Sequence, residues 1–151
     1  MRRKDREITD RIDMEAVING AMVCRIGLAD GGEPYVVPVC FGYENGSVYI
    51  HSARQGKKIE MLETNPRCCF EVDTCDHVIR SDKPCSWEMR YRSVIGYGRA
   101  EILKDSEEKR HGLSCIMRHY DSGTHEFSES DLAAVTVIRI TIESMTGKKH
   151  G

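Results

Sequence analysis

Apolar positions along this chain fall mostly in short alternating or β-branched runs, separated by glycine, asparagine, proline and charged clusters. The run SVYIHS, residues 47–52, shows the pattern plainly: Val48 and Ile50 point one way, Tyr49 and His51 the other. MVCRIGLAD, closed by Gly31-Gly32, and residues 35–43 read as the two strands before it. Asn45-Gly46 between apolar runs is a strong hairpin signal, because both residues tolerate positive φ, so the strands flanking it are expected to pair antiparallel. Residues 67–73, 91–103 and 133–142 bring the expectation to six strands. Gly96 and Gly98 in the fifth suggest a sharp bend or the close approach of a ligand. The polar stretch 74–88, with Pro84, reads as a loop.

Three segments carry helical signals. Residues 8–21 have Asp10 or Asp13 as a cap and Gly20 near the end. Residues 56–64 put Ile59 and Leu62 on one face and stop at Asn65-Pro66. Asp105 caps a third helix through Tyr120, Glu108 completes a capping-box pattern, and Leu113, Ile116, Met117 and Tyr120 form one apolar stripe. Six strands without βαβ alternation predict a mainly β (α+β) fold: one domain over residues 1–151, closed as a small antiparallel barrel with peripheral helices.

Charge narrows the functional classes. With 22 Lys+Arg against 24 Asp+Glu, the net charge of -2 offers no field for nucleic acid. The cluster Arg2, Arg3, Lys4, Arg6 is interrupted by Asp5 and Glu7 and reads as a solvated terminus. No apolar stretch reaches the roughly 20 residues of a membrane span, and no signal-peptide-like segment stands at the start, so a cytoplasmic location is expected. Seven cysteines, an odd count without CxxC, suggest reduced thiols. Cys24, Cys40, Cys68 and Cys69 lie in apolar runs and read as small buried hydrophobes. Cys75, His77 and Cys85 match no standard zinc spacing, and no metal site is expected.

The candidate chemistry centres on VYIHSARQGKKIEML. His51 and Ser52 end a strand, and a helix begins at Gly56 with Lys57 and Lys58 in its first turn. Lysines there oppose the helix dipole by a few tenths of a kcal/mol. A bound phosphate would reverse that sign, with Ser52 and Arg54 as further donors. Spacing alone leaves phosphate site and solvated lysines evenly balanced. Tyr91 and Ser93 share a strand face, where a ligand role and a plain rim are equally good readings. Trp87 fits either stacking on an aromatic ligand or a dimer contact; His111, His119 and His125 read as surface residues. No GxSxG, HExxH or Walker-type loop is present, which favours chemistry supplied by a cofactor.

The ordered set VPVCFGYENGSVYIHSARQGKKIEML, ETNPRCCFEVD, CSWEMRYRSVIGYGRAEIL and VIRITIESMTGKK resembles the nitroimidazole-resistance (Nim) branch of the pyridoxamine 5'-phosphate oxidase-like, FMN-binding split-barrel flavoproteins, over roughly residues 8 to 149. The resemblance implies a homodimeric split barrel with flavin mononucleotide (FMN) in each of two clefts between subunits. It further implies that Lys58 holds the flavin phosphate, with Gly56 and Lys57 beside it. Ser52 and Ala53 would flank the phosphate and ribityl chain, and the Val37, Pro38, Val39 backbone would lie along the isoalloxazine ring. His51 would stand near the flavin, with Ser93 and Lys148 as further cleft residues. The arginine and histidine set of true pyridoxamine phosphate oxidases is missing near the C-terminus, which argues against vitamin B6 oxidation.

The activity so implied is an oxidoreductase passing electrons from reduced flavin to a small acceptor such as a nitroaromatic, with NADH or NADPH recharging the flavin. His51 is the candidate proton donor, imidazole being the side chain that titrates nearest neutrality. The alternatives are a non-catalytic flavin- or haem-binding redox sensor or store, with His51 as an axial ligand, and an interaction module without cofactor.

Overall fold

The computed structural model describes residues 3–151, apart from the side chain of Asp76. Among these residues the chain forms eight strands: β1 (Glu7–Ile8), β2 (Cys24–Asp30), β3 (Glu33–Val39), β4 (Phe41–Glu44), β5 (Ser47–Ser52), β6 (Arg67–Ile79), β7 (Glu88–Ile102) and β8 (Thr136–His150). Four α-helices accompany them: α1 (Arg11–Gly20), α2 (Lys57–Thr64), α3 (Ser106–Tyr120) and α4 (Glu129–Ala134). The strands make one antiparallel sheet in the order β3-β2-β6-β7-β8-β5-β4, with β1 pairing β8. The mainly antiparallel β architecture with a few helices agrees with a split barrel, but the strand count is eight rather than six.

The difference has local causes. Residues 35–43 were expected as one strand, yet Cys40 divides them: β3 pairs only β2, and β4 pairs only β5. Pro34 and Pro38 lack N–H groups and hold β3 to a sheet edge. β1 is two residues long, too short for any periodicity to register, so the expected helix over residues 8–21 begins only at Arg11. Asp10 is its cap, accepting from the Ile12 N–H at 2.7 Å.

Residues 74–88 are not a loop throughout. β6 and β7 continue as a hairpin ribbon in which Val78 opposes Met89 and Ile79 opposes Glu88, past a bulge at Cys75/His77. The ribbon covers no core, so its sequence lacks the apolar alternation that marks a half-buried strand. A 3-10 turn, Pro84–Ser86, closes its tip. The last strand starts later than expected because residues 133 and 134 finish α4, a short helix in the Ser/Glu-rich stretch whose capping box is formed by Ser128 and Asp131.

β4 and β5 pair across Asn45-Gly46, where both φ values are positive (49° and 78°) as the hairpin signal requires. Val48 and Ile50 join Phe41, Phe70, Val94 and Ile140 in the barrel interior, all at most 1% exposed. Tyr49 faces the other way, into a second cluster with Leu113, Ile116, Leu132 and Val137 beneath α3 and α4. Burying one such side chain is worth about 1.5–3 kcal/mol, so β5 is anchored on both faces. Asp105 caps α3 by accepting from the Glu107 and Glu108 N–H groups, both at 3.0 Å, while the Glu108 carboxylate pairs with Arg139 at 3.1 Å.

Gly96 and Gly98 serve the fold rather than a ligand. A Cβ at Gly96 would stand 2.1 Å from Phe70 Cε1, so the glycine makes room for that core ring. Gly98 lies at the β7–β8 register shift, with the Thr141 carbonyl where a Cβ would go. Of the cysteines expected inside, Cys24 and Cys68 are buried and Cys69 half-buried, but Cys40 is exposed at the joint between β3 and β4. Among the described helices none is long and apolar enough to cross a membrane.

Candidate functional site

β5 ends in His51 and Ser52, which pair with Val137 and Thr136 of β8. His51 is exposed and Ser52 half-buried; Ala53 to Gly56 then lead directly into α2. Gly56 takes φ 131°, a region where a side chain is strained, and presents no capping side chain, whereas α1, α3 and α4 each have one. The Ile59 and Glu60 N–H groups close onto the Gly56 carbonyl, which leaves the N–H groups of Lys57 and Lys58 ahead of the helical ladder. Ile59, Met61 and Leu62 bury the opposite face and fix the helix against β2.

The two lysines behave differently. The Lys57 ammonium lies 3.5 Å from a Glu33 carboxylate oxygen and 5.1 Å from the Tyr35 ring centroid, so it ties α2 to β3. Lys58 is half-buried and has no carboxylate partner among the described residues. Burial alone pushes its pKa below the ordinary lysine value. A desolvated ammonium beside uncapped helical N–H groups is a donor set shaped for an anion with several oxygens.

The Lys57 contacts bring β3 to the same place. Tyr35, Val37 and Val39 turn their side chains toward the barrel core, and Val36 and Pro38 face outward. As an edge strand, β3 leaves half of its backbone polar groups outside the ladder and free for a ligand. Val37 to Val39, His51 to Ala53 and Gly56 to Lys58 thus belong to connected or contacting elements. Ser93 and Lys148 do not join them: they pair with each other at the far ends of β7 and β8. From Thr136, the partner of Ser52, to Lys148 is twelve residues, about 40 Å along β8. The Lys148 ammonium lies 5.7 Å from the Tyr91 ring centroid.

A groove of about 460 Å³ lies elsewhere: Gly27, Val36, Asn65, Arg67, Cys69 and Tyr97 lie along it on the outer sheet face, and none of the candidate site residues does. That groove is mainly apolar and its floor is open sheet, so it lacks the desolvated lysine and uncapped helical N–H groups that the start of α2 carries. Trp87 sits half-exposed at the ribbon tip, its indole N–H donating to the Ser81 carbonyl at 2.7 Å and Arg80 facing its ring. His119 is not a free surface residue. Its Nε2 meets the Ala21 carbonyl at 2.7 Å and its ring packs on Phe41, a tertiary contact that helix spacing gave no means of anticipating. His111 is exposed and meets Glu44 at 2.6 Å. Burial pushes the Cys24 thiol up to about 12 and Cys68 up to about 11, so neither supplies a thiolate near neutrality. No group of three His, Cys, Asp or Glu side chains suited to a metal occurs among the described residues.

A split antiparallel barrel, with a half-buried lysine and uncapped helical N–H groups where β5 passes into α2, defines the class. The family is shown by comparison: residues 10–149 match the pyridoxamine 5'-phosphate oxidase model, and the chain belongs to that family. Among solved structures, the chain resembles a candidate 5-nitroimidazole antibiotic resistance protein from Bacteroides thetaiotaomicron, with 39% identity over 94% of this chain and 85% of the other, TM-score 0.85. A flavocytochrome from Azotobacter vinelandii matches at TM-score 0.87 and 22% identity, over 100% and 72% of the two chains. An FAD- and haem-binding protein from Mycobacterium smegmatis matches at TM-score 0.87 and 20% identity, over 97% and 74%. These last two share the fold. No curated protein matches the chain.

Proposed function

We propose that this protein binds a flavin, FMN, with its phosphate at the start of α2, and works as an oxidoreductase on a small acceptor of the nitroaromatic type. The observation that carries the reading is Lys58: a half-buried cation without a carboxylate partner among the described residues, in the first turn of a helix with uncapped N–H groups, next to a paired Lys57. Family membership and the 39% identical neighbour support the flavin and the acceptor class.

In this reading Lys58 and the first N–H groups of α2 hold the phosphate, and Ser52 donates a further hydroxyl. Lys57 keeps α2 against β3 through Glu33 and Tyr35. The free edge of β3 offers backbone groups to the polar rim of the ring, with Pro38 unable to donate there. Bound flavin would supply hydride chemistry at its N5. The exposed imidazole of His51, at the strand end beside the phosphate pocket, holds the proton passed to the reduced acceptor. Ser93 and Lys148, some 40 Å along β8 from Ser52, enter the cleft from a second copy of the chain, so the working unit is a homodimer. NADH or NADPH serves as electron donor.

The test is spectroscopic. The purified protein, reconstituted with FMN, is recorded before and after anaerobic addition of NADH or NADPH and then of a nitroimidazole. The expected sequence is a flavin spectrum, bleaching by the donor and recovery with the acceptor. A protein that takes up no flavin refutes the binding reading; one that binds but never bleaches or recovers refutes the catalytic one. A haem band in place of flavin bands would favour His51 as an axial ligand in a redox store.

A further inference from the structure

Four cross-strand partners form one row over the outer face of the sheet: Val36 of β3, Gly27 of β2, Cys69 of β6 and Tyr97 of β7. The row runs large, small, small, large, so it makes a trough about 14 Å across, three strand spacings. Val36 and Tyr97 are its walls, 66% and 52% exposed. Its floor is backbone and one sulfur: a Cβ at Gly27 would stand 2.6 Å from Cys69 Sγ. This trough is the groove of about 460 Å³, a volume within the range of small-molecule sites. A flat ring suits such a floor, since it can meet the Tyr97 ring on one side and the polarisable Cys69 sulfur beneath.

The two ends of the trough differ in charge. At one end Arg67 lines the groove and stands directly opposite Arg99 across β6 and β7. Neither guanidinium has a carboxylate partner among the described residues; Glu101, two residues beyond Arg99, is held by Arg139 at 2.7 Å. Like charges placed so destabilise a sheet unless an anion neutralises them. Glu71 lies four residues along β6 from Arg67, about 13 Å. With Asp73 it shares a single cation, Arg25, at 3.0 and 2.6 Å, which leaves a negative excess at that end. The flavin reading uses neither end nor the apolar middle.

We propose that this groove binds a flat aromatic monocarboxylate, with its carboxylate on Arg67 and Arg99 and its rings over Gly27 and Cys69 between Val36 and Tyr97. The planar guanidinium fork matches a carboxylate in two parallel hydrogen bonds, and the added anion relieves the opposition of the two arginines. The acidic end sets the specificity. A second carboxylate on the far side of the rings meets Glu71 and Asp73 and is repelled, and a neutral ring leaves the arginines as they were.

Isothermal titration calorimetry on the full chain as purified, with 2-naphthoate as the probe, tests the site. Saturable binding is expected, with a Kd at or below ~1 mM for a ligand of this size. Binding of 2-naphthol and of naphthalene-2,6-dicarboxylate should each be at least ~10-fold weaker. R67Q/R99Q should weaken 2-naphthoate at least ~10-fold and should melt no lower than wild type, because it removes a like-charge opposition. E71Q/D73N should bring the dicarboxylate up to the affinity of the monocarboxylate. Equal affinity for 2-naphthol and 2-naphthoate, unchanged binding in R67Q/R99Q, or no gain for the dicarboxylate in E71Q/D73N overturns the proposal. If R67Q/R99Q unfolds, Val36→Glu decides instead: a carboxylate on that exposed wall must weaken 2-naphthoate at least ~10-fold, and unchanged binding overturns the site. Absence of saturable binding, as when a second copy of the chain fills the groove, overturns it too, and so does displacement of 2-naphthoate by FMN.

Discussion

Replacing Lys58 with Ala removes one desolvated ammonium and little else, because that side chain makes no ion pair among the described residues. One charge-assisted hydrogen bond to phosphate contributes about 1.5–3 kcal/mol net, which corresponds to FMN affinity weakened roughly 10- to 150-fold. Lys57→Ala is the internal control. Its side chain is 50% exposed and its partner Glu33 69% exposed, and such pairs contribute about 0.2–1 kcal/mol, so the loss should stay below about fivefold. Titration by quenching of flavin fluorescence, with riboflavin beside FMN, isolates the phosphate. Wild type should prefer FMN, Lys58→Ala should lose most of that preference, and its melting temperature should not fall. If Lys58→Ala keeps the full preference for FMN, or if Lys57→Ala costs as much, the phosphate is not held where we place it.

The depressed Lys58 pKa gives a pH test with a definite sign. FMN should bind more tightly as its phosphate completes ionisation near pH ~6, then more weakly as pH rises through the lowered Lys58 value, while riboflavin shows neither limb. In the flavin-free chain the charged lysine is disfavoured by folding, so its penalty applies below the lowered value and fades between it and the ordinary lysine value; calorimetry on wild type and Lys58→Ala compares the two. Gly96→Ala should cost about 1–3 kcal/mol by driving a methyl into the Phe70 ring, lowering the melting temperature by roughly 2–12 °C. Phe70→Leu in the same chain should then add less than its cost alone, and strict additivity would show that the two do not meet. Asp105→Ala should cost ~1 kcal/mol in thermal unfolding without changing flavin affinity, since it uncaps α3 far from α2 in the chain.

How much was legible follows from how local each signal is. Asn45-Gly46, Asn65-Pro66 and the Asp105 cap act within a few residues, and the hairpin and helix ends appear where those residues put them. The lysine pair at the start of α2 was legible too, but not its division of labour: which lysine is free depends on Glu33 and Tyr35, distant in sequence. Cys40 looked buried because apolar neighbours surround it in sequence, yet the chain uses it to pass from one sheet edge to the other. The ribbon beyond Thr74 escaped notice because strands paired only with each other bury nothing and need no alternation. The like-charged opposition of Arg67 and Arg99 appears only once the β6–β7 register is known.

Cys40 has one more consequence. Because β3 and β4 each end the sheet and are joined by a single residue, the barrel has a seam with no ladder of hydrogen bonds across it. The seam is stitched instead by the Tyr120 hydroxyl, which accepts from the Phe41 N–H and donates to the Met22 carbonyl, both at 3.0 Å. The barrel can therefore breathe along that line while every rung of β6, β7 and β8 stays intact, and amide exchange should be fast at its lips and slow on the opposite wall. Unpicking one phenol, as in Tyr120→Phe, should quicken exchange at Phe41 first.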